Sequence, residues 1–366
     1  METSLGEATE SRGGRVAVAM SGGVDSSVAA ALLVEWGYQV IGVKMNLAGG
    51  ENRCRSLRDA GDARRVADRL GIPLHVADYE EPFREEVVEP FADAYLSGRT
   101  PVPCVVCNQR FKFHRLIEQG RALGASAFAT GHYARIDTDP TTGERRLRRA
   151  RDPRKDQSYF LFRLGPEQLG SSLFPLGGMS KSEVREKART LGLSTAEKPE
   201  SQEICFVTGT DYARVVEETR AGGLPGEGEI VDSDGAVLGR HAGVHRFTVG
   251  QRRGLRLPGE RKLYVTGLDA KRNRVVVGSL DELFCAGAEV EGVSWVSGHA
   301  PPSPARALVQ VRYRHAGAPA RLEIRSRAEL SVHFDQPVRA VAPGQAAVFY
   351  DGELVLGGGW IARPIP

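Results

Sequence analysis

The sequence has no run of apolar residues that reaches the roughly 18–20 residues of a membrane-spanning helix. Its first residues, METSLGEATESRGG, carry three glutamates and no apolar segment, so they do not resemble a signal peptide. We expect residues 1–14 to form a disordered tail. These absences argue against a membrane protein and an exported protein, and they predict a cytoplasmic location.

Cysteine is scarce, with five residues in a chain of 366. An odd number of cysteines in a long chain without an export signal argues against a disulfide framework and predicts reduced thiols. An excess of one charge is also missing, because the formal net charge is only +3. Local basic clusters therefore carry more information about nucleic acid than the net charge does. The densest is RRLRRARDPRK at 145–155, and a smaller one is QRRGLRLPGERK at 251–262; either alone could be solvated surface.

Two common phosphate-binding motifs are missing. The sequence contains no G-K-[ST], which excludes a Walker A loop, and no G-x-G-x-x-G, which excludes the dinucleotide-binding fingerprint. What stands instead is SGGVDSS at 21–27, between an apolar run and an alanine-rich helical pattern. Backbone N–H groups of such a turn, together with the helix N-terminus, can hold phosphate oxygens. Asp25 in this turn could cap the helix or hold Mg²⁺.

The S-G-G-x-D-S pattern resembles the PP-loop of ATP pyrophosphatases. That resemblance implies cleavage of ATP between the α and β phosphates, with an adenylylated substrate as the product. GMP synthases, NAD synthetases, argininosuccinate synthetases and tRNA thiolases share this loop. The loop alone therefore leaves the acceptor of the adenylyl group open.

The order of strand and helix patterns predicts the fold. From residue 15 to about 135 they alternate, which is typical of a parallel sheet with helices on both faces. Ligands of such sheets bind at the carboxyl ends of the strands. After about residue 200, short alternating runs and turn signals predict β-strands. We expect an α/β domain at 15–207, a small β-rich central domain at 208–282 and a C-terminal β-barrel at 283–366.

Two cysteine-containing segments narrow the choice among the PP-loop enzymes. Cys104 and Cys107 form a C-x-x-C in a proline-rich loop that precedes a helical pattern. We expect Cys107 near the N-terminus of that helix, where the dipole lowers the pKa of a thiol, with Arg110 and Lys112 reinforcing the effect. Cys205 follows in SQEICFV. Two thiols beside an ATP-activated carbonyl suit sulfur insertion, in which one carries a persulfide and the other displaces sulfur or resolves a disulfide.

With these segments in place, the chain resembles the tRNA-specific 2-thiouridylases (the MnmA/TrmU family). The matching stretches follow one another along nearly the whole chain: AMSGGVDSSVAA, ATGHYAR, KDQSYFL, FPLG, SQEICF, HRFTVGQRRGL, RYRH and AVFYDGELVLGGGWI. The resemblance implies an adenine nucleotide alpha hydrolase-like PP-loop domain, a central β domain and a β-barrel. It also implies 2-thiolation of the wobble uridine in tRNAs for Lys, Glu and Gln, through adenylylation of uridine O2 and sulfur delivery from a cysteine persulfide.

The resemblance further implies roles for individual residues. The catalytic residues are Cys107 as nucleophile, Cys205 as persulfide carrier, and Asp25. The ATP-binding residues are Ala19, Met20, Ser21, Gly22, Gly23, Val24, Asp25, Ser26, Met45 and Gly131. The residues that face the target base are Val102, Pro103 and Cys104. The tRNA-binding residues are His132, Lys155, Asp156, Gln157, Arg312, Tyr313 and Gln345.

Two positions depart from the family pattern. Val102 stands where the family often has Asn, and Cys104 stands where some members have Asp. An Asp there could act as general acid or base at the uracil edge, and a Cys is a poorer candidate. A third thiol raises a second hypothesis, in which Cys104, Cys107 and Cys205 hold an iron–sulfur cluster.

The implied cofactors are ATP and Mg²⁺, and the implied partners are tRNA and an upstream persulfide donor, either a cysteine desulfurase or a relay protein. We expect a monomer. Three alternatives stand beside this interpretation: an amide-forming PP-loop ligase, an RNA-binding module without catalysis, and a thiolase for another tRNA position. Two sulfur-transfer routes also stay open, direct attack by the persulfide and release of hydrosulfide.

Overall fold

A computed structural model describes residues 13–47, 53–199, 204–207, 211–258 and 261–366, without the side chains of 53–56. The predicted tail at 1–14 thus lies almost entirely outside the described residues. None of the helices in these ranges is long and apolar enough to cross a membrane.

The chain begins with the predicted alternation of strands and helices. Its elements are β1 (Arg15–Ala19), α1 (Val24–Glu35), β2 (Gln39–Asn46), α2 (Arg53–Leu70) and β3 (Leu74–Asp78). A continuous helical stretch follows, made of α3 (Glu80–Phe83), a π-helical segment (Arg84–Val88) and α4 (Glu89–Leu96). The sequence predicts a break or kink near Pro90, and the π-helical segment ends two residues before it.

A second helical stretch and several shorter elements complete the α/β part of the chain. The stretch consists of α5 (Pro103–Cys107), a π-helical segment (Asn108–Arg115) and α6 (Leu116–Ala122). The remaining elements of this part are β4 (Ala127–Ala129), β5 (Arg135–Thr138), β6 (Arg145–Arg148), α7 (Pro166–Gly170), β7 (Ser172–Leu173) and α8 (Lys181–Thr190). The run SAFATGHYA at 126–134 predicts a strand, but the strand ends at Ala129, because the chain leaves the sheet there in an irregular turn.

Parallel strands form the predicted sheet, in the order β3-β2-β1-β4-β7. Apolar side chains of α1, α2 and α8 cover one face of it. The other face packs against α5 and α6, and the same core includes barrel side chains such as Val348 and Tyr350. The sheet is therefore buried on both faces, which leaves the carboxyl ends of its strands for a ligand site.

The central and C-terminal parts are rich in β-structure. After α9 (Tyr212–Thr219) come β8 (Gly228–Val231), β9 (Val237–His241), β10 (Tyr264–Asp269) and β11 (Arg274–Gly278), which form a sheet in the order β10-β11-β8-β9. The last strands are β12 (Phe284–Trp295), β13 (Ala305–Gln310), β14 (Ala318–Ile324), β15 (Glu329–Arg339), β16 (Ala346–Asp351) and β17 (Leu354–Ile365). Pairing of β12 with β17 closes these six into a barrel. The predicted fold class is confirmed, whereas the domain boundaries stay predictions.

One pairing crosses the expected division between domains. The hairpin β5–β6 comes from the α/β part of the sequence, yet it extends the barrel sheet through the pairing of Arg148 with Leu354. The Arg149 backbone N–H donates to the Glu353 carbonyl over 2.9 Å, and the Tyr159 hydroxyl donates to the Ala346 carbonyl over 3.0 Å. The barrel and the α/β part are therefore joined by strand pairing and by a side-chain hydrogen bond, as well as by a shared core.

Candidate functional site

A cavity of about 440 Å³ lies at the carboxyl ends of β1, β2 and β4. Its walls bring together three segments that are far apart in the sequence: the SGGVDSS turn, the C-x-x-C helix and residues 204–206. Most of the residues singled out in the sequence line it, namely Ala19, Met20, Ser21, Gly23, Val24, Asp25, Ser26, Met45, Pro103, Cys104, Cys107, Gly131, His132, Gln157 and Cys205.

The turn before α1 is held by its own hydroxyl groups. Ser26 and Ser27 donate to the Gly23 carbonyl over 3.1 and 2.8 Å, and the Ser21 backbone N–H donates to Ser26 Oγ over 3.2 Å. Gly22 has a φ of +82°, and a Cβ there would lie 2.2 Å from the Asp59 carbonyl oxygen, so only glycine fits. Gly22 is absent from the cavity wall, and its part is to shape the turn.

Asp25 does not cap the helix, and its Oδ1 is engaged by two other side chains. Gly23 is the N-cap residue, and Asp25 Oδ1 accepts from the Tyr133 hydroxyl at 2.7 Å and the Lys181 ammonium at 2.6 Å. Asp59, the other carboxylate on the cavity wall, pairs with Lys198 at 2.7 Å. Since both carboxylates among the lining residues face lysines, the donor set does not fit Mg²⁺ bound directly by the protein.

The turn after β4 approaches the SGGVDSS turn very closely. A Cβ on Gly131 would lie 2.7 Å from the carbonyl carbon of Asp25 and 2.8 Å from the Ser26 nitrogen. The next residue, His132, is buried, and its Nδ1 lies 2.7 Å from Thr130 Oγ1. Burial lowers the pKa of His132 well below its ordinary value, and nearby Lys112 lowers it further, so the ring is neutral at pH 7.

The prediction of a low thiol pKa for Cys107 is wrong. The helix begins at Pro103, which places Cys107 one full turn inside it, and Arg110 pairs with Glu86. Burial raises the pKa of Cys107 to about 12 and that of Cys104 to about 11, and the charge of Lys112 only partly opposes this. Desolvation of the thiolate thus outweighs the helix dipole and the neighbouring cation.

Cys205 differs from the other two thiols because its side chain is exposed. Cys104, Cys107 and Cys205 all line the cavity, so the three thiols face the same volume. Among the described residues, however, no group of three or more His, Cys, Asp or Glu side chains is arranged to hold a metal ion. The described residues therefore give no support to the hypothesis that Cys104, Cys107 and Cys205 hold an iron–sulfur cluster.

Other residues singled out in the sequence lie away from this cavity. Val102 lines a second cavity of about 220 Å³, which shares Pro103 and Val87 with the first. Asp156 is buried and accepts from the Ala150 and Ser158 backbone N–H groups, so it stabilises its own turn. Lys155, Arg312, Tyr313 and Gln345 are also absent from the cavity wall. Gln345 donates to the Thr100 carbonyl, and the Tyr313 ring centroid lies 4.4 Å from that of Phe160.

The two basic clusters differ in how their charges are used. In the 145–155 cluster, arginines pair with nearby carboxylates: Arg146 and Arg148 with Asp137, Arg149 with Asp156, and Arg151 with Glu183. In the 251–262 cluster, Arg252, Arg253, Arg256, Arg261 and Lys262 are exposed. No ion pair joins any of these five to a carboxylate in the described ranges. The second cluster is therefore the stronger candidate for binding polyanions.

The sequence interpretation missed lysines on the cavity wall. Lys44 lies on β2, Lys198 precedes the segment that carries Cys205, and Lys112 was considered only as support for Cys107. For Lys44 a signal was present, because a lysine in the otherwise apolar run VIGVKM is unusual for a central strand. Lys198 had no such signal in its polar surroundings.

Comparisons with known proteins match all three parts of the chain. The models that match are "tRNA methyl transferase HUP domain" at 14–209, "tRNA methyl transferase PRC-barrel domain" at 222–279 and "Aminomethyltransferase beta-barrel domain" at 286–361. A tRNA-specific 2-thiouridylase MnmA of Solibacter usitatus is 51% identical over 94% of this chain and 98% of its own length. MnmA proteins of Geobacter metallireducens and Rhodospirillum centenum are 50% and 49% identical, over 96% and 95% of this chain and 98% and 92% of theirs.

Proposed function

Because the chain belongs to the family of tRNA-specific 2-thiouridylases, we propose that it replaces the 2-oxygen of a uridine in tRNA by sulfur. The finer proposal is that the target is the wobble uridine of tRNAs for Lys, Glu and Gln. One observation carries most of the support: a single cavity is lined by the SGGVDSS turn, by Cys107 and by Cys205. Phosphate-binding and thiol groups thus face the same volume.

ATP is the proposed co-substrate, and the SGGVDSS turn is its phosphate site. Backbone N–H groups at the start of α1 and the hydroxyls of Ser21 and Ser26 suit phosphate oxygens. Residues 19–26 with Met45 and Gly131 are the proposed ATP half of the site, in which Gly22 shapes the turn from outside the cavity wall. Mg²⁺ then enters as part of MgATP, because Asp25 and Asp59 are already paired with lysines.

The uridine has to leave the anticodon stack to reach the cavity, as base-modifying enzymes require. Its O2 attacks the α-phosphorus, the bond to the β-phosphate oxygen breaks, and pyrophosphate leaves with the electron pair. The adenylylated O2 is then a good leaving group at C2. Pro103 and Cys104 line the cavity and suit contact with the base. Val102 lines the second cavity instead, so its proposed contact with the base would have to be made from there.

Sulfur transfer is assigned to Cys107 and Cys205. The exposure of Cys205 suits loading with a persulfide by an upstream donor, a cysteine desulfurase or a relay protein. In the direct route, the terminal sulfur attacks C2, AMP leaves, and Cys107 then attacks Cys205 Sγ to release 2-thiouridine. In the other route, Cys107 attacks the persulfide first and the released hydrosulfide attacks C2. Both routes end with a Cys107–Cys205 disulfide, which a thiol reductant must reduce.

The tRNA is proposed to lie across the cavity and the central domain. The exposed arginines of the 251–262 cluster, which make no ion pair with a described carboxylate, suit its phosphates. His132 and Gln157 reach the cavity wall and can contact the target nucleotide. Lys155, Asp156, Arg312, Tyr313 and Gln345 stay proposals for contacts outside it. A monomer in the cytoplasm is part of the same proposal.

The test compares Cys205→Ala with the control Cys285→Ala, whose thiol belongs to β12 of the barrel. With tRNA, ATP and a persulfide donor, Cys205→Ala should release pyrophosphate yet form no 2-thiouridine, measured by mass spectrometry of the nucleosides. The control should behave like the wild type. Thiolation by Cys205→Ala would refute the persulfide role, and a wild type that forms no 2-thiouridine would refute the proposed function. An amide-forming ligase would not need Cys205.

A further inference from the structure

Lys44 is a buried lysine in the middle of the parallel sheet. It is 9% exposed and lies on β2, between Val43 and Met45. Its ammonium points into the cavity at the SGGVDSS turn, where Nζ donates to the Ser21 carbonyl over a long 3.4 Å. Ser21 belongs to the proposed phosphate site, so this ammonium and that site face the same part of the cavity.

The ammonium of Lys44 lacks an anionic partner within the described part of the chain. Among residues 13–47, 53–199, 204–207, 211–258 and 261–366, no carboxylate lies within ion-pair distance of Lys44 Nζ; Asp59 interacts from further away and is bound to Lys198. Burial lowers the pKa of Lys44, Asp59 and Cys205 oppose this, and Lys198 adds to it. A desolvated cation is costly unless an anion compensates for the lost water. The resting protein thus keeps a cationic position ready for an anion.

Two other lysines near the proposed phosphate site, Lys198 on the cavity wall and Lys181 beside Asp25, already have carboxylate partners. Lys198 donates to the Gly22 carbonyl at 2.8 Å and pairs with Asp59 and Asp62. Lys181 pairs with Asp25 at 2.6 Å. By contrast, the one hydrogen bond of Lys44 Nζ to a described residue is its weak bond to the Ser21 carbonyl. Of these three cations it is the one whose charge an incoming phosphate can take up without first breaking an ion pair.

We propose that Lys44 binds a phosphate of ATP and stabilises the negative charge that develops on the leaving pyrophosphate. This inference rests on the proposed function and adds a catalytic residue to its ATP half. When uridine O2 attacks the α-phosphorus, the electron pair of the breaking bond moves to an oxygen of pyrophosphate. An ammonium held on the cavity wall by a buried strand favours that charge more than it favours intact ATP. The chain has no Walker lysine, and Lys44 supplies the cation from a strand instead.

The test uses α,β-methylene-ATP, which cannot be cleaved between its α and β phosphates. We expect Lys44→Met to bind it roughly ten- to hundredfold more weakly than the wild type, the range of a charge-assisted hydrogen bond. Adenosine, which has no phosphate, should bind both proteins equally in calorimetry. The control Lys271→Met removes an exposed lysine from the turn after β10 and should leave both affinities unchanged. Wild-type affinity of Lys44→Met for α,β-methylene-ATP would overturn the proposal.

Two further measurements keep the outcome clear. Without ligand, Lys44→Met should unfold at the same temperature as the wild type or higher, because an apolar chain of similar length replaces a desolvated cation. In the wild type, α,β-methylene-ATP but not adenosine should protect Lys44 from reductive methylation, read by peptide mass spectrometry; an unprotected Lys44 would refute the proposal. The proposal would also be refuted if Lys44→Met kept the wild-type nucleotide affinity while its Cys205 was alkylated more slowly than in the wild type. That result would show that Lys44 acts on the Cys205 thiolate instead. None of these assays uses tRNA or sulfur, so they can succeed even if the thiolation proposal fails.

Discussion

Gly131 contacts the SGGVDSS turn so closely that one added methyl group should disturb the proposed ATP site. The Cβ of an alanine would lie 2.7 Å from the Asp25 carbonyl carbon and 2.8 Å from the Ser26 nitrogen. Ordinary contact begins at 3.4 Å, so one of the two turns must move by about 0.7 Å. Both sides of the contact are backbone, and no side-chain rotation can relieve it. Overpacking of this kind costs about 1–3 kcal/mol, and a shift near 1 Å in a positioned site can cost about a hundredfold in rate.

We therefore expect Gly131→Ala to lower the free energy of unfolding by about 1–3 kcal/mol. The kcat/KM for ATP should fall by roughly ten- to hundredfold, measured as pyrophosphate released in the presence of tRNA. Gly178→Ala is the matched control, because its Cβ would meet no atom within 4 Å and its φ is ordinary. Pyrophosphate release by Gly131→Ala at the wild-type rate would refute the reasoning. An equal loss in both variants would show that the close contact is not the cause.

Two further predictions concern charge and thiol reactivity. The double variant Arg252→Glu, Arg253→Glu should weaken tRNA binding and reduce the slope of log affinity against log salt by about 0.7 for each lost phosphate contact. The control Arg148→Glu, whose wild-type side chain pairs with Asp137, should change that slope little. Fluorescence anisotropy at several salt concentrations measures both slopes, and an equal change in the two variants would show that the 145–155 cluster also contacts tRNA. At pH 8, iodoacetamide should modify exposed Cys205 before Cys107, since a pKa of about 12 leaves only about one Cys107 in ten thousand as thiolate. Each pH unit should raise the Cys107 rate about tenfold, and peptide mass spectrometry that finds Cys107 modified first would contradict the burial argument.

The phosphate turn and the fold class could be predicted because their signals are local. SGGVDSS sits between a strand pattern and a helix pattern, and each of the three follows from neighbouring residues. The parallel sheet follows from the alternation itself, which also placed the site at the carboxyl ends of the strands. Gly22 shows what local patterns cannot predict. Only glycine fits there because the backbone of Asp59 lies so close, and the sequence does not reveal where the helix that carries Asp59 packs.

The errors concern environments that distant residues create. The high pKa of Cys107 comes from burial among side chains such as Phe83 and Phe111, which no pattern around the C-x-x-C reveals. The 145–155 cluster is the densest basic run in the sequence, but its carboxylate partners, among them Asp137 and Glu183, lie outside the run. A charge count along the chain cannot separate a paired arginine from an exposed one. Whether an arginine is paired depends on which carboxylate the fold places beside it.

The pairing of β6 with β17 bears on the order in which the molecule is completed during synthesis. The hairpin emerges from the ribosome roughly two hundred residues before the strand that it joins. Until β17 has been made, the outer edge of β6 is unpaired and the core that α5 and α6 share with the barrel is incomplete. A premature stop within the barrel therefore does not yield a shortened but intact catalytic unit. It leaves an unpaired strand edge and an exposed apolar face. Chains with these features are degraded by quality-control proteases or aggregate.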